Sequence, residues 1–185
     1  MSAAVDEGHA AQAWRRLLGR YVRAVEEVMH GPPRAEHDPD RPSPCELDGP
    51  DEDGLVPWRP MPRAPSGELP RCAAVAGVVD RELVEVLAGW WSMPVEATLE
   101  GVPLVLLTAA SQAELDDLDA ALAEGFSRAR KEEGVTAWMV ARFHDGRVVR
   151  WIPSTGVWAQ SEEGGWVQVA PRLGDFYDAL TPIAV

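Results

Sequence analysis

The chain has 185 residues, 46% hydrophobic and 25% charged, enough apolar side chain for one sizeable core, which excludes a disordered tail or a disulfide-stapled miniprotein. Thirty acids oppose seventeen bases, a net charge of −13, so nucleic-acid backbones and anionic lipid surfaces repel the protein as a whole and basic partners are expected. No apolar run approaches the roughly 20 residues that span a bilayer, and residues 1–7 lack the basic-then-apolar order of a secretion signal, so a cytosolic protein is expected.

Residues 1–10 read as a flexible tail ahead of a single domain that takes up the rest of the chain. From Trp14 to Met29, Trp14, Leu17, Leu18, Tyr21, Val25, Val28 and Met29 recur at helical spacing, and Gly31-Pro32 ends the helix. Residues 31–53 have no periodicity and read as an irregular arm, followed by a short strand over residues 55–58. Residues 60–70 read as a second punctuated loop, and Val78 to Trp90 as a helix. Residues 95–99 and 102–108 read as two strands around a tight Glu100-Gly101 turn. Ser111-Gln-Ala-Glu114 is a capping box opening a helix buried along Leu115, Leu118, Leu122 and Phe126. Four strands then follow, over residues 137–143, 147–152, 157–160 and 166–169, with turns at Asp145-Gly146, Ser154-Thr155-Gly156 and Gly164-Gly165. Pro171 precedes a terminal helix carrying Leu173, Phe176, Tyr177 and Leu180. The layout is α+β: a mostly antiparallel sheet flanked by helices.

Motifs of chemistry are missing from the sequence. It holds no GxGxxG turn, P-loop, HExxH helix or GxSxG elbow. Lys131 is the only lysine, and His9, His30, His37 and His144 show no metal-ligand spacing. The acids of residues 48–53 lack the ligand order of a calcium loop. Cys45 and Cys72 are too far apart for a metal knuckle and are expected as packed, reduced thiols. No catalytic residue, metal or cofactor is therefore expected; a hydrolase would need two close carboxylates in a deep pocket.

Charge placement rises above this background. Glu36, Asp38, Asp40, Glu46, Asp48, Asp51, Glu52 and Asp53 face the single base Arg41 over that stretch. Such a concentration is either a solvated loop or a landing surface for a Lys/Arg-rich ligand, raising on-rates by about 10 to 1,000-fold at low salt. The expected partner-binding residues are Glu46, Asp48, Asp51, Glu52 and Asp53, with Trp58 as an aromatic anchor and Glu96 and Glu100 as further acids.

The helix with Leu18, Tyr21 and Val25, Pro42-Ser43-Pro44-Cys45, Trp58-Arg59-Pro60, Leu104 to Leu107, Glu114-Leu115, Ser154-Thr155-Gly156 and Leu173 to Phe176 together resemble the Syd family of the SUKH superfamily, over residues 14–182. The resemblance implies an α+β fold with a negatively charged concave face and no enzymatic activity. It also implies peripheral attachment to the cytoplasmic side of the inner membrane through basic cytosolic loops of the SecY translocon, with a role in checking translocon integrity. Cytosolic loops of membrane proteins are rich in Lys and Arg, whereas the anionic leaflet, at about −30 mV, repels an acidic protein; docking through protein rather than lipid is expected, by a monomer. Other SUKH branches neutralise toxins, so an immunity protein against a basic toxin is the alternative.

Overall fold

The computed structural model describes residues 8–63 and 68–184. Helix α1 (His9–Met29) opens the chain, so His9 and Ala10, expected in the tail, are helical and Ala10 is fully buried; residues 1–7 of that tail lie outside the described residues. The helix ends on His30 in the left-handed region at φ 56°, its N–H bonded to the Glu26 carbonyl.

The stretch expected as an irregular arm is folded. Strands β1 (Arg34–Glu36) and β2 (Leu55–Pro57) pair antiparallel, and residues 37–54 form the loop between them. An alternation too short to show in the sequence is enough here, because Val56 at its centre is fully buried.

Next come β3 (Met61–Pro62), α2 (Pro70–Ala76), α3 (Arg81–Leu87) and β4 (Trp90–Trp91). The helix expected over residues 78–90 is thus only the seven residues of α3, started by the Asp80 side chain accepting from Leu83 N at 3.2 Å. Trp90 and Trp91 leave it to pair with β3. Helix α2 was not evident from its sequence. Its N-terminal amides are satisfied from afar, by a carboxylate on α4 (Gln112–Glu132): Asp119, 3% exposed, accepts from Arg71 N at 2.8 Å and Cys72 N at 2.9 Å.

The main sheet contains β5 (Val95–Leu99), β6 (Val102–Leu106), β7 (Trp138–Phe143), β8 (Val148–Ile152), β9 (Gly156–Gln160), β10 (Trp166–Ala170) and, after α5 (Leu173–Ala179), β11 (Thr181–Pro182). Its seven strands run β10-β9-β8-β7-β6-β5-β11, each neighbour antiparallel, as the α+β expectation requires. Glu100 and Gly101, at φ 52° and 84°, make the primed hairpin turn whose twist matches its strands. Ser111 Oγ accepts from Glu114 N at 3.3 Å, the expected cap, while Glu114 accepts from Ala110 N at 2.7 Å, one residue further back than the Ser111 amide of a closed capping box.

Period-two alternation divides the sheet. Val95, Ala97, Leu99, Leu104, Leu106, Val149, Trp151, Val157 and Ala159 enter the core, while Glu96, Thr98, Val105, Arg142, Val148 and Trp158 face the other way. Helix α1 packs its apolar stripe on α5, α3, β5 and β11, with Trp14 edge-on to Tyr177 at 5.1 Å between ring centroids. Phe126 of α4 stacks on Trp138 at 4.4 Å.

Candidate functional site

The acidic loop of residues 37–54 is built by two of its own acids. Asp51 Oδ1 accepts from Asp53 N and Leu55 N, both at 2.9 Å, and Oδ2 pairs with the Arg34 guanidinium. The Leu55 amide above all, then Asp53 N and Arg34, holds the Asp51 carboxyl below the usual carboxylate range. Gly54, at φ 77°, makes the return possible. Glu46, its side chain 14% exposed, meets His37 Nδ1 at 3.0 Å and accepts from Ser43 N at 3.3 Å. The segment around Glu46 also lies against β2: Leu47 N donates to the Pro57 carbonyl at 2.9 Å and Arg59 N to the Cys45 carbonyl at 3.0 Å.

The loop is fastened to the body as well. Ser43 Oγ donates to the Ala110 carbonyl at 2.6 Å, just ahead of α4, and Arg41 Nη1 meets Asp117 Oδ2 on α4 at 2.9 Å. That bond to Asp117 chiefly, with the charges of Asp38 and Glu114 behind it, raises the Arg41 pKa. Arg41 therefore bridges two acidic stretches, the loop and the first turns of α4 with Asp116 and Asp117.

The expected binding residues consequently separate. Asp48, Glu52 and Asp53 are exposed; Asp48 accepts from the adjacent Gly49 N at 2.8 Å. Glu46 and Asp51 are spent on folding the loop. Glu96 lies on β5 with His144 Nε2 3.3 Å from its carboxylate, and Glu100 is exposed at the β5–β6 turn. The loop and Glu96 are linked through Tyr21: burial first, then the Glu96 charge, raises the phenol pKa, and its ring stacks on Trp58 at 5.9 Å.

Trp58 corrects the anchor assignment. It is 1% exposed, beneath the loop and against α1, and presents no surface to a partner. A tryptophan beside an acidic run resembles an interface residue in sequence, but here it is the floor on which the loop is laid. Asp38, Asp40, Asp116 and Asp117, all exposed, are acids of the same region that the assignment omitted; the lone Arg41 in an acidic run was the available signal. Nothing in sequence marked Asp119.

A groove of about 360 Å³ runs between the flank of α4 and the outward face of the sheet, lined by Glu124, Arg128, Glu132 and Glu133 from α4 and its C-terminal end and by Arg142, Arg150 and Trp166 from the sheet. Arginines and glutamates balance there. Arg150, 9% exposed, stacks 3.5 Å over the Trp166 ring and binds Glu133 at 2.6 Å, filling part of the groove. Glu124, Glu132 and Glu133 here are exposed, as are Glu100, Asp145, Glu162 and Glu163 elsewhere, so the loop and the start of α4 hold only part of the exposed acid.

Both cysteines are buried and free, and burial first raises the thiol pKa of each. Among the described residues no three His, Cys, Asp or Glu side chains gather as metal ligands, and no helix is long and apolar enough to cross a membrane.

The fold and site define a class of α+β protein with an ordered acidic loop turned outward. Within that class the chain belongs to the Syd protein (SUKH-2) family, whose model matches residues 11–182. It is 27% identical over 158 residues to Protein Syd of Aeromonas salmonicida (strain A449), covering 83% of this chain and 86% of that one. To Protein Syd of Aeromonas hydrophila subsp. hydrophila it is 28% identical over the same length and shares.

Proposed function

We propose that the protein is a non-catalytic accessory factor that binds basic cytosolic loops of the SecY translocon, peripherally on the cytoplasmic side of the inner membrane, and so monitors translocon integrity. The chain acts in this as a single domain and as a monomer. Membership of the Syd family supports the partner. The observation that carries the surface is the division of labour in the loop: Asp51 and Glu46 fix its course, leaving Asp48, Glu52 and Asp53 turned to solvent in the same loop as Asp38 and Asp40, which Arg41 ties to Asp117. Preformed negative charge of this kind steers a cationic loop inward without a folding step on binding. Glu96 and Glu100 extend the field along the β5–β6 hairpin.

The deciding experiment is co-sedimentation with inner-membrane vesicles containing or lacking SecY. Recovery that follows SecY and falls with rising salt is expected. Equal recovery from both removes the proposal and leaves a SUKH immunity protein against a basic toxin as the reading to pursue.

A further inference from the structure

The acidic protein carries one concentrated basic face. Opposite the buried stripe of α1, Arg15, Arg16, Gly19, Arg20 and Arg23 fall within an arc of roughly 140° at 100° per residue. No carboxylate occupies that arc between residues 15 and 23, and Glu26 and Glu27 enter it in the following turn. Arg59 comes alongside from the segment after β2, lining a hollow with Arg15, Gly19, Arg23, Glu26 and Trp90. A second hollow, about 450 Å³, is lined by Arg15, Arg16, Gly19, Arg20, Arg23 and Asp178.

The face is only partly neutralised. Asp178 pairs with Arg16 at 2.6 Å, and Glu26 with Arg59. Arg20 Nη2 donates to the Tyr177 carbonyl at 3.0 Å, but its Nε is buried without a partner. Arg23 has no ion pair among the described residues. Gly19 sits at the centre, where glycine is the poorest helix former after proline. A Cβ there would meet only Arg23 Nη1, at 3.6 Å, so core packing does not require the glycine; its effect is to keep the floor between the arginines low.

We propose that this face rests against the phosphates of an anionic bilayer while the acidic loop engages a membrane-embedded partner. The inference rests on the proposed function for what brings the protein within a Debye length of the lipid, since the net charge of −13 opposes approach from bulk. Charge complementarity selects the occupant: guanidinium forks match phosphate oxygens, and Trp90 at the rim is a residue type favoured at that boundary.

The test measures capture of the whole protein by vesicles carrying reconstituted SecY, of pure phosphatidylcholine or with added phosphatidylglycerol, at low salt. Net charge alone makes recovery lower on the anionic vesicles; the arginine face makes it higher. Higher recovery is expected, and Arg20→Gln with Arg23→Gln should lower it about 25-fold, fivefold per arginine. Lower or equal recovery of wild type on the anionic vesicles overturns the inference. So does retention that free inorganic phosphate abolishes at constant ionic strength, or a dimer that the double variant dissolves. The same vesicles separate the two proposals: capture equal in both lipids removes the bilayer contact alone, while absence of capture in either removes the SecY reading. Unchanged urea unfolding of the double variant shows that it is folded.

Discussion

Replacing Asp48→Asn, Glu52→Gln and Asp53→Asn together removes three exposed charges and keeps side-chain volume and acceptor oxygens, including the one that takes the Gly49 N–H. At roughly 10 Å from a facing cation each lost charge removes about 0.4 kcal/mol of attraction in water, reduced by screening to about 0.1 kcal/mol at 0.15 M salt and about 0.3 kcal/mol at 0.01 M. Against a loop presenting about three cations, the sum is about 1 kcal/mol at 0.15 M and about 2.7 kcal/mol at 0.01 M, or about sixfold and about a hundredfold in affinity. The loss should fall mainly on the association rate, because these acids lie where charge steers encounter. The assay is stopped-flow association with SecY in nanodiscs at the two salt concentrations. Urea unfolding followed by tryptophan fluorescence should place the variant within about 0.5 kcal/mol of wild type. Wild-type association at 0.01 M salt would refute the assignment of these residues.

Asp51→Asn acts differently, because it removes the Arg34 pair and a folding element of the loop. The Asp51 carboxyl is depressed in the fold, so its stabilisation is present above the unfolded value of about 4 and is lost as pH falls through the folded one; the stability gap between wild type and Asp51→Asn should therefore close below about pH 4. A gap constant from pH 7 to pH 2.5 in urea titrations would contradict this. Asp119→Ala leaves two amides of α2 without acceptors and should lower stability by about 2–4 kcal/mol, with Asp119→Asn milder; a loss under about 0.5 kcal/mol would show that α2 docks without the cap. Trp58→Ala should lower stability by about 3–5 kcal/mol as a core deletion, and a variant of normal stability with lost SecY capture would reinstate Trp58 as an anchor. Cys45 and Cys72 should react with a thiol reagent only on unfolding, at a rate that tracks urea; fast native labelling would contradict their burial.

The amphipathic period of α1, the Ser111 cap of α4, the Glu100-Gly101 turn and the meander of β7 to β10 could be read directly from sequence. Each is fixed by residues within a few positions of one another, through side-chain periodicity, a local hydrogen bond or a backbone conformation. What escaped depends on distant partners. Helix α2 exists because Asp119, 47 residues away from Cys72, supplies its cap, and β11 because β5 offers an edge. The same distinction governs the site. An excess of acid between Glu36 and Asp53 is a property of composition and was visible at once. Which of those acids fold the loop and which face outward was decided by hydrogen bonds to Arg34, Leu55, His37 and Ser43. Trp58 became core because α1 brings Tyr21 over its ring, a contact between elements that no local pattern encodes. Sequence alone thus determined the sign and quantity of charge and the locally specified elements; tertiary structure determined which charges were free, because burial and pairing depend on neighbours brought together only when the chain folds.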